Sequence, residues 1–211
     1  MNSLIARCAI LSAAALAAWA PTASAELIVD AAGDLINGFN AATNPDLDVI
    51  TAESIYDSST NTFTFTSTLA GAVGTTPNMS FVWGVNRGGG TAGFAGNGLP
   101  NVLFDRVVRL VPGGQSQIAG GGLATINLDA SAVTFSGNTI TATFSADLLP
   151  GNGFTPSQYT VNLWPRVNSP AGFPGISDFA PNDRNAAVTV VPSPAAAAAF
   201  GLAGLLARRR R

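Results

Sequence analysis

The chain has 211 residues, a formal net charge of −2, ten Lys+Arg, twelve Asp+Glu and no His. All of its cations are Arg, and its one cysteine, Cys8, lies near the start. Ser-His-Asp and Cys-His nucleophiles, lysine Schiff bases and imidazole metal sites are therefore excluded, which leaves carboxylates, hydroxyls and Arg for any chemistry.

Residues 1–25 read as a helical signal peptide. Arg7 supplies a positive start, Ala9 to Ala20 is an Ala/Leu-rich apolar run, and Ala23-Ser24-Ala25 is a small-x-small site before Glu26. Signal peptidase is the implied partner, and Cys8 leaves with the removed segment. The body, 26–191, then has no disulfide, thiol nucleophile or soft metal ligand. It spans about 165 residues, enough for one domain with its own core. It holds all twelve acidic residues against five Arg, a net 5 − 12 = −7. Such a body is a poor partner for phosphate backbones, so nucleic acid is excluded.

The first part of the body is acidic. Asp30 and Asp34 flank an Ala-Ala-Gly turn, and Asp46 and Asp48 come next beside Pro45, with Asn37, Asn40 and Asn44 between them. Calcium takes six to eight such oxygens. Turn Asp residues that cap their own backbone give the same pattern, so both readings stand. Asp178 and Asp183 form a second acidic pair in a Pro-rich loop.

Period-two alternation dominates the rest of the body. Leu47, Val49, Thr51, Glu53 and Ile55 fall on one side of a run, which makes Glu53 either a buried acid or an edge charge. Phe63 and Phe65 alternate with Thr62, Thr64 and Thr66; Phe81, Trp83 and Val85 share a face. Ile140, Ala142 and Phe144 are set against Thr139, Thr141 and Thr143, and Tyr159, Val161 and Leu163 repeat the pattern. These are half-buried strands. Further strands are predicted at Val102 to Leu110, Leu123 to Leu128, Ala132 to Phe135 and Ala187 to Val191, with hairpin turns at Tyr56 to Asn61 and Ser136 to Asn138. The expected fold is all-β: an antiparallel β-sandwich of eight or nine strands, jelly-roll or Ig-like.

Two long loops are predicted, Gly88 to Gly98 and Pro165 to Asp183. Gly88, Gly90 and Gly93 fit G-x-G-x-x-G, but no helix comes after them to face a pyrophosphate, so the match is a loop. Trp164 shares parity with Thr160, Asn162 and Arg166 on the polar side of its strand. It is either a stacking platform for polysaccharide or packing under the adjoining loop. A glycosidase needs two carboxylates across a cleft, and Glu53 is the one internal Glu. The expectation is that the chain is not an enzyme.

The last segment, 192–211, opens on Pro192-Ser193-Pro194 after Val191, runs apolar from Ala195 to Ala207 and stops on Arg208, Arg209, Arg210 and Arg211. As a helix the apolar run rises about 20 Å, and snorkelling Arg side chains extend its reach toward a span. The Arg block sets a cytoplasmic end. This order of motifs resembles a PEP-CTERM sorting signal, with Ser193 where the common form carries Glu. The resemblance covers about a tenth of the chain. It implies transient anchoring in the inner membrane of a Gram-negative-type cell, and cutting near Pro-x-Pro by an exosortase-type membrane protease. It also implies delivery to the cell surface or extracellular matrix. Val82 to Arg87 and Ile176 to Pro181 resemble stretches of other exoproteins with such tails, which implies no activity. The expected role is structural or adhesive, with a carbohydrate-binding module as the alternative.

Overall fold

A computed structural model describes residues 26–192. The signal segment with Ala23 and Ala25, and the tail with Ser193, Pro194 and Arg208 to Arg211, lie outside the described residues.

The described chain is all-β. Its strands are Ile28–Val29 (β1), Val49–Asp57 (β2), Thr62–Leu69 (β3), Met79–Asn86 (β4), Thr91–Phe94 (β5), Leu99–Phe104 (β6) and Arg106–Leu110 (β7). Gln117–Ala119 (β8), Ile126–Asn127 (β9), Val133–Ser136 (β10), Thr139–Ser145 (β11), Thr160–Val167 (β12), Ala186–Ala187 (β13) and Thr189–Val191 (β14) complete the set. One sheet runs β1-β2-β3-β11-β10 with β14 also on β2, a second runs β13-β12-β4-β7-β8-β9, and β5-β6 is a separate hairpin. Pairing within the sheets is antiparallel except for β14, which lies parallel to β2. Among the described residues the helical turns are three-residue 3₁₀ pieces, and no helix is long and apolar enough to cross a membrane.

Alternation explains how the two large sheets meet. Phe63, Phe65 and Leu69 of β3 point inward while Thr62, Thr64, Thr66 and Thr68 stay half-exposed. Phe81, Trp83 and Val85 of β4 oppose them in one core with Val161 and Leu163 of β12. Phe65 and Trp83 have ring centroids 4.9 Å apart, and Phe63 stacks on Tyr159 at 5.7 Å. Large aromatics contribute most of the buried apolar area in such a layer.

β4 is buried along its whole length, because Val82 gives its other face an apolar residue as well. That face carries a second cluster of Val82, Val102, Trp164, Ile176 and Phe179, roofed by the β5-β6 hairpin. Gly84 permits it: a Cβ there would lie 2.5 Å from the Trp164 ring.

Several expectations need correction. The Val102 to Leu110 strand breaks at Asp105 into β6 and β7, and the Ala187 to Val191 strand breaks at Val188, crossing from one sheet to the other. Of Leu123 to Leu128 only Ile126–Asn127 pairs, and the Gly88 to Gly98 loop contains β5. The Pro165 to Asp183 loop starts only after β12, which runs to Val167, and its second half is core, with Ile176 through Ala180 all buried. A register shift between Val49 and Thr51 reverses the parity of β2. Val49, Ala52 and Ser54 face inward, so Glu53 faces outward opposite Thr66 rather than sitting in the core as an acid.

Candidate metal centre

The acidic start of the body folds into a turn directly after β1. The Asp30 N–H donates to Ile50 O at 3.0 Å, which fixes the turn against β2. Asp48, fully buried at the start of β2, accepts the Gly33 N–H on both carboxylate oxygens, at 3.1 and 2.9 Å. Gly33 has φ +84, a conformation that glycine reaches without a Cβ clash. Asp48 thereby holds the Ala31–Asp34 turn in shape.

The loop after β12 meets this turn from the other side. Ile36 N–H donates to Ser177 O, and Ser177 Oγ donates to Leu47 O. Asp178, 1% exposed, accepts the Val49 N–H on Oδ2 at 2.8 Å and the Phe179 N–H on Oδ1 at 2.7 Å. One carboxylate oxygen each from Asp30, Asp34 and Asp178 then lies within 4.8 Å of the others. Asp30 Oδ2 and Asp34 Oδ1 are enclosed without a hydrogen-bond partner, while Asn182 Nδ2 donates to Asp34 Oδ2 at 3.1 Å.

This crowding sets the electrostatics. Burial, then the Asp34 charge, pushes Asp30 up to about 7. Burial pushes Asp178 up to about 8, with Asp30 and Asp34 adding to it against the opposing Val49 N–H contact. Asp48 is raised too, by burial first and then by Asp34. Unpaired buried carboxylates are costly, and either protons, which the raised pKa values favour, or a hard divalent cation relieves the charge. Asp30, Asp34 and Asp178 thus bring three carboxylates close enough to share one hard cation.

The expected acidic set is regrouped. Asp30 and Asp34 are in the cluster and Asp48 braces it, but Asp46 is committed elsewhere. Its carboxylate accepts Thr75 N–H and Thr76 N–H at 2.8 Å each and Thr76 Oγ1 at 2.6 Å. Asp46 is buried and ties its turn to the distant Thr75–Thr76 backbone rather than capping its own, and it lies outside the Asp30, Asp34 and Asp178 group. Asp178 joins from far along the chain, where no spacing rule could place it. Its expected companion Asp183 instead accepts from Asn101 N–H and Nδ2.

Trp164 is also corrected. It is 3% exposed, with Phe94, Phe104 and Phe179 centroids 5.2, 5.0 and 5.9 Å from its ring. No face is left for a sugar; Trp164 packs under the loop and the β5-β6 hairpin. Of the terminal residues, Glu26 accepts from Arg184 and from the Ala187 N–H, Val191 ends β14, and Pro192 is exposed. No protein-family model and no curated protein matches this chain.

Proposed function

We propose that the chain is an exported, non-enzymatic β-sandwich with a structural or adhesive role at the cell surface or in the extracellular matrix. Calcium at Asp30, Asp34 and Asp178 fastens its N-terminal edge to the loop after β12. The observation that carries the calcium reading is the pair of enclosed, unpartnered oxygens on Asp30 and Asp34, beside a fully buried Asp178. A body without disulfides has to gain its stability from packing and from cross-links of this kind.

Export rests on the residues of 1–25 and of the PEP-CTERM-like tail, 192–211, with an exosortase-type protease as the processing partner and the inner membrane as a transient anchor. The non-enzymatic reading is supported by the absence of His, Lys and a body cysteine and by the outward position of Glu53. The test is intact mass and location of the protein in cells with and without the sorting protease. A mature product starting at Glu26 and trimmed near Pro192 at the surface is expected. An intact 211-residue chain in the cytosol overturns the reading.

Carbohydrate binding has one supporting observation, and it is not Trp164. A shallow cavity of about 240 Å³ is lined by Ile36, Leu99, Phe173 and Phe179 with the amides of Asn37, Asn97 and Asn182. Apolar walls with a few amides suit a sugar ring. Protection of Phe173 and Asn97 resonances on titration with exopolysaccharide fragments is the measurement; unchanged resonances exclude this site.

A further inference from the structure

The two ends of the body finish a single edge between them. β1 runs antiparallel to β2, with Val29 opposite Thr51 and Ile28 opposite Ala52. β14 runs parallel to β2, with Thr189 opposite Ile55 and Val191 opposite Asp57. Glu26 lies where they abut: its N–H donates to Thr189 Oγ1 at 3.2 Å, and its carboxylate accepts the Ala187 N–H at 2.7 Å and pairs with Arg184. From Val29 to Val191 this composite edge covers about 20 Å along β2. Glu26 and Pro192, the two ends of the described chain, therefore lie at the same edge of the same sheet.

That edge is also where apolar surface is left uncovered. Of five exposed large apolar side chains among the described residues, Leu27 (57%), Val29 (73%) and Val191 (43%) are here. All three share the outward parity of Thr51, Glu53, Ile55 and Asp57, with Ile28 buried between the first two. Arg184, 55% exposed, stands at the middle of the edge, paired through one guanidinium nitrogen with Glu26. Asp57, at its far end, is turned onto Ser59 and Thr60.

We infer that the β1–β14 edge lies against a lipid bilayer while both apolar segments, Ala9 to Ala20 and Ala195 to Ala207, are still attached. This rests on the export reading. Two apolar segments entering one membrane from one edge leave Leu27, Val29 and Val191 at headgroup depth. A small apolar stripe with a flanking Arg is favoured there over bulk water. The second sheet then points away from the membrane, and β14 ends at the lipid surface, directly before Pro192.

Single cysteines at Leu27, Val29, Val191 and Leu123 test this in the full chain carrying Cys8→Ser. Leu123 is an exposed apolar residue on the segment between β8 and β9. Each is labelled with an environment-sensitive dye and bound to phosphatidylethanolamine/phosphatidylglycerol vesicles containing nitroxide lipid. Blue-shifted emission with several-fold stronger quenching at 27, 29 and 191 than at 123 is expected. Quenching at 27 and 29 no stronger than at 123 overturns the inference, even if 191 is quenched. A chain that fails to float with the vesicles overturns this inference and the anchoring reading together.

Discussion

The Val49 N–H donates to Asp178 Oδ2 at 2.8 Å across 129 positions of sequence. Through this contact the start of β2 is closed by a carboxylate from the loop after β12, which stands beside Asp30 and Asp34. The loop cannot leave without exposing Ile176 and Phe179, and the carboxylate cannot ionise cheaply while it stays.

Stability is therefore pH-dependent. Unfolded, Asp30 and Asp178 ionise near the ordinary value of 3.8; folded, they do so near about 7 and about 8. Between those limits the folded form keeps protons that the unfolded form has released, so stability falls as pH rises through the window. Calcium-free protein melts several degrees higher at about pH 5.5 than at about pH 8.5. Millimolar calcium raises the melting temperature at the higher pH and has little effect at the lower, where protons occupy the carboxylates. Calorimetry with chelator and with calcium at both values measures this, and no calcium shift at the higher pH removes the metal.

The regrouping of the aspartates predicts opposite behaviour for two of them. Asp46→Ala leaves two N–H groups and a hydroxyl without their acceptor and costs about 2–4 kcal/mol, with the calcium response intact. Asp34→Asn removes one negative charge from the cluster, so the calcium-free protein is as stable as before or more so, and the response to calcium is lost. Denaturant melts of both variants, each with and without calcium, separate the two roles.

Trp164→Ala empties the second cluster and costs about 3–5 kcal/mol. Gly84→Ala attacks the same contact from the other side, pressing a methyl against the indole, and costs about 1–3 kcal/mol by overpacking. Combined with Trp164→Phe the Gly84→Ala penalty shrinks, because the smaller ring frees the space. A double-mutant cycle by urea unfolding gives the coupling.

Local pattern carried much of this fold and failed at identifiable residues. Thr62 to Leu69 and Thr139 to Ser145 were legible because one face is core and the other solvent, the condition under which alternation is informative. β2 misled because the shift after Val49 adds a residue, and a slip of one reverses every later side chain. The inner faces of β4 and β12 were legible in the same way, but their outer face is roofed, so Trp164 has polar neighbours in sequence and aromatic neighbours in space. The metal cluster was half visible: Asp30 and Asp34 stand close in sequence, while Asp178 is brought in by tertiary structure. β1, β8 and β9 are two or three residues long, too short for any period to show.

A buried ion pair sits at the opposite end of the fold. Arg87 Nε lies 3.2 Å from Asp105 Oδ1, with side chains 2% and 6% exposed. Asp105 sits at the break between β6 and β7, and its other oxygen accepts Asn152 Nδ2 at 2.8 Å. Arg106, also buried, has carbonyl partners at Gly120 and Ala124, and its pKa is lowered by burial and then by Arg87. Asp105→Ala therefore leaves the buried Arg87 guanidinium without its carboxylate, beside the buried Arg106, and costs about 3–5 kcal/mol. Because the pair is enclosed, that cost changes little between low and high salt, unlike a surface bridge. Adding Arg87→Met to Asp105→Ala removes the stranded charge and recovers part of the loss. Equilibrium unfolding of the single and double variants at two salt concentrations tests it, and a double variant as unstable as the sum of the two single changes would contradict it.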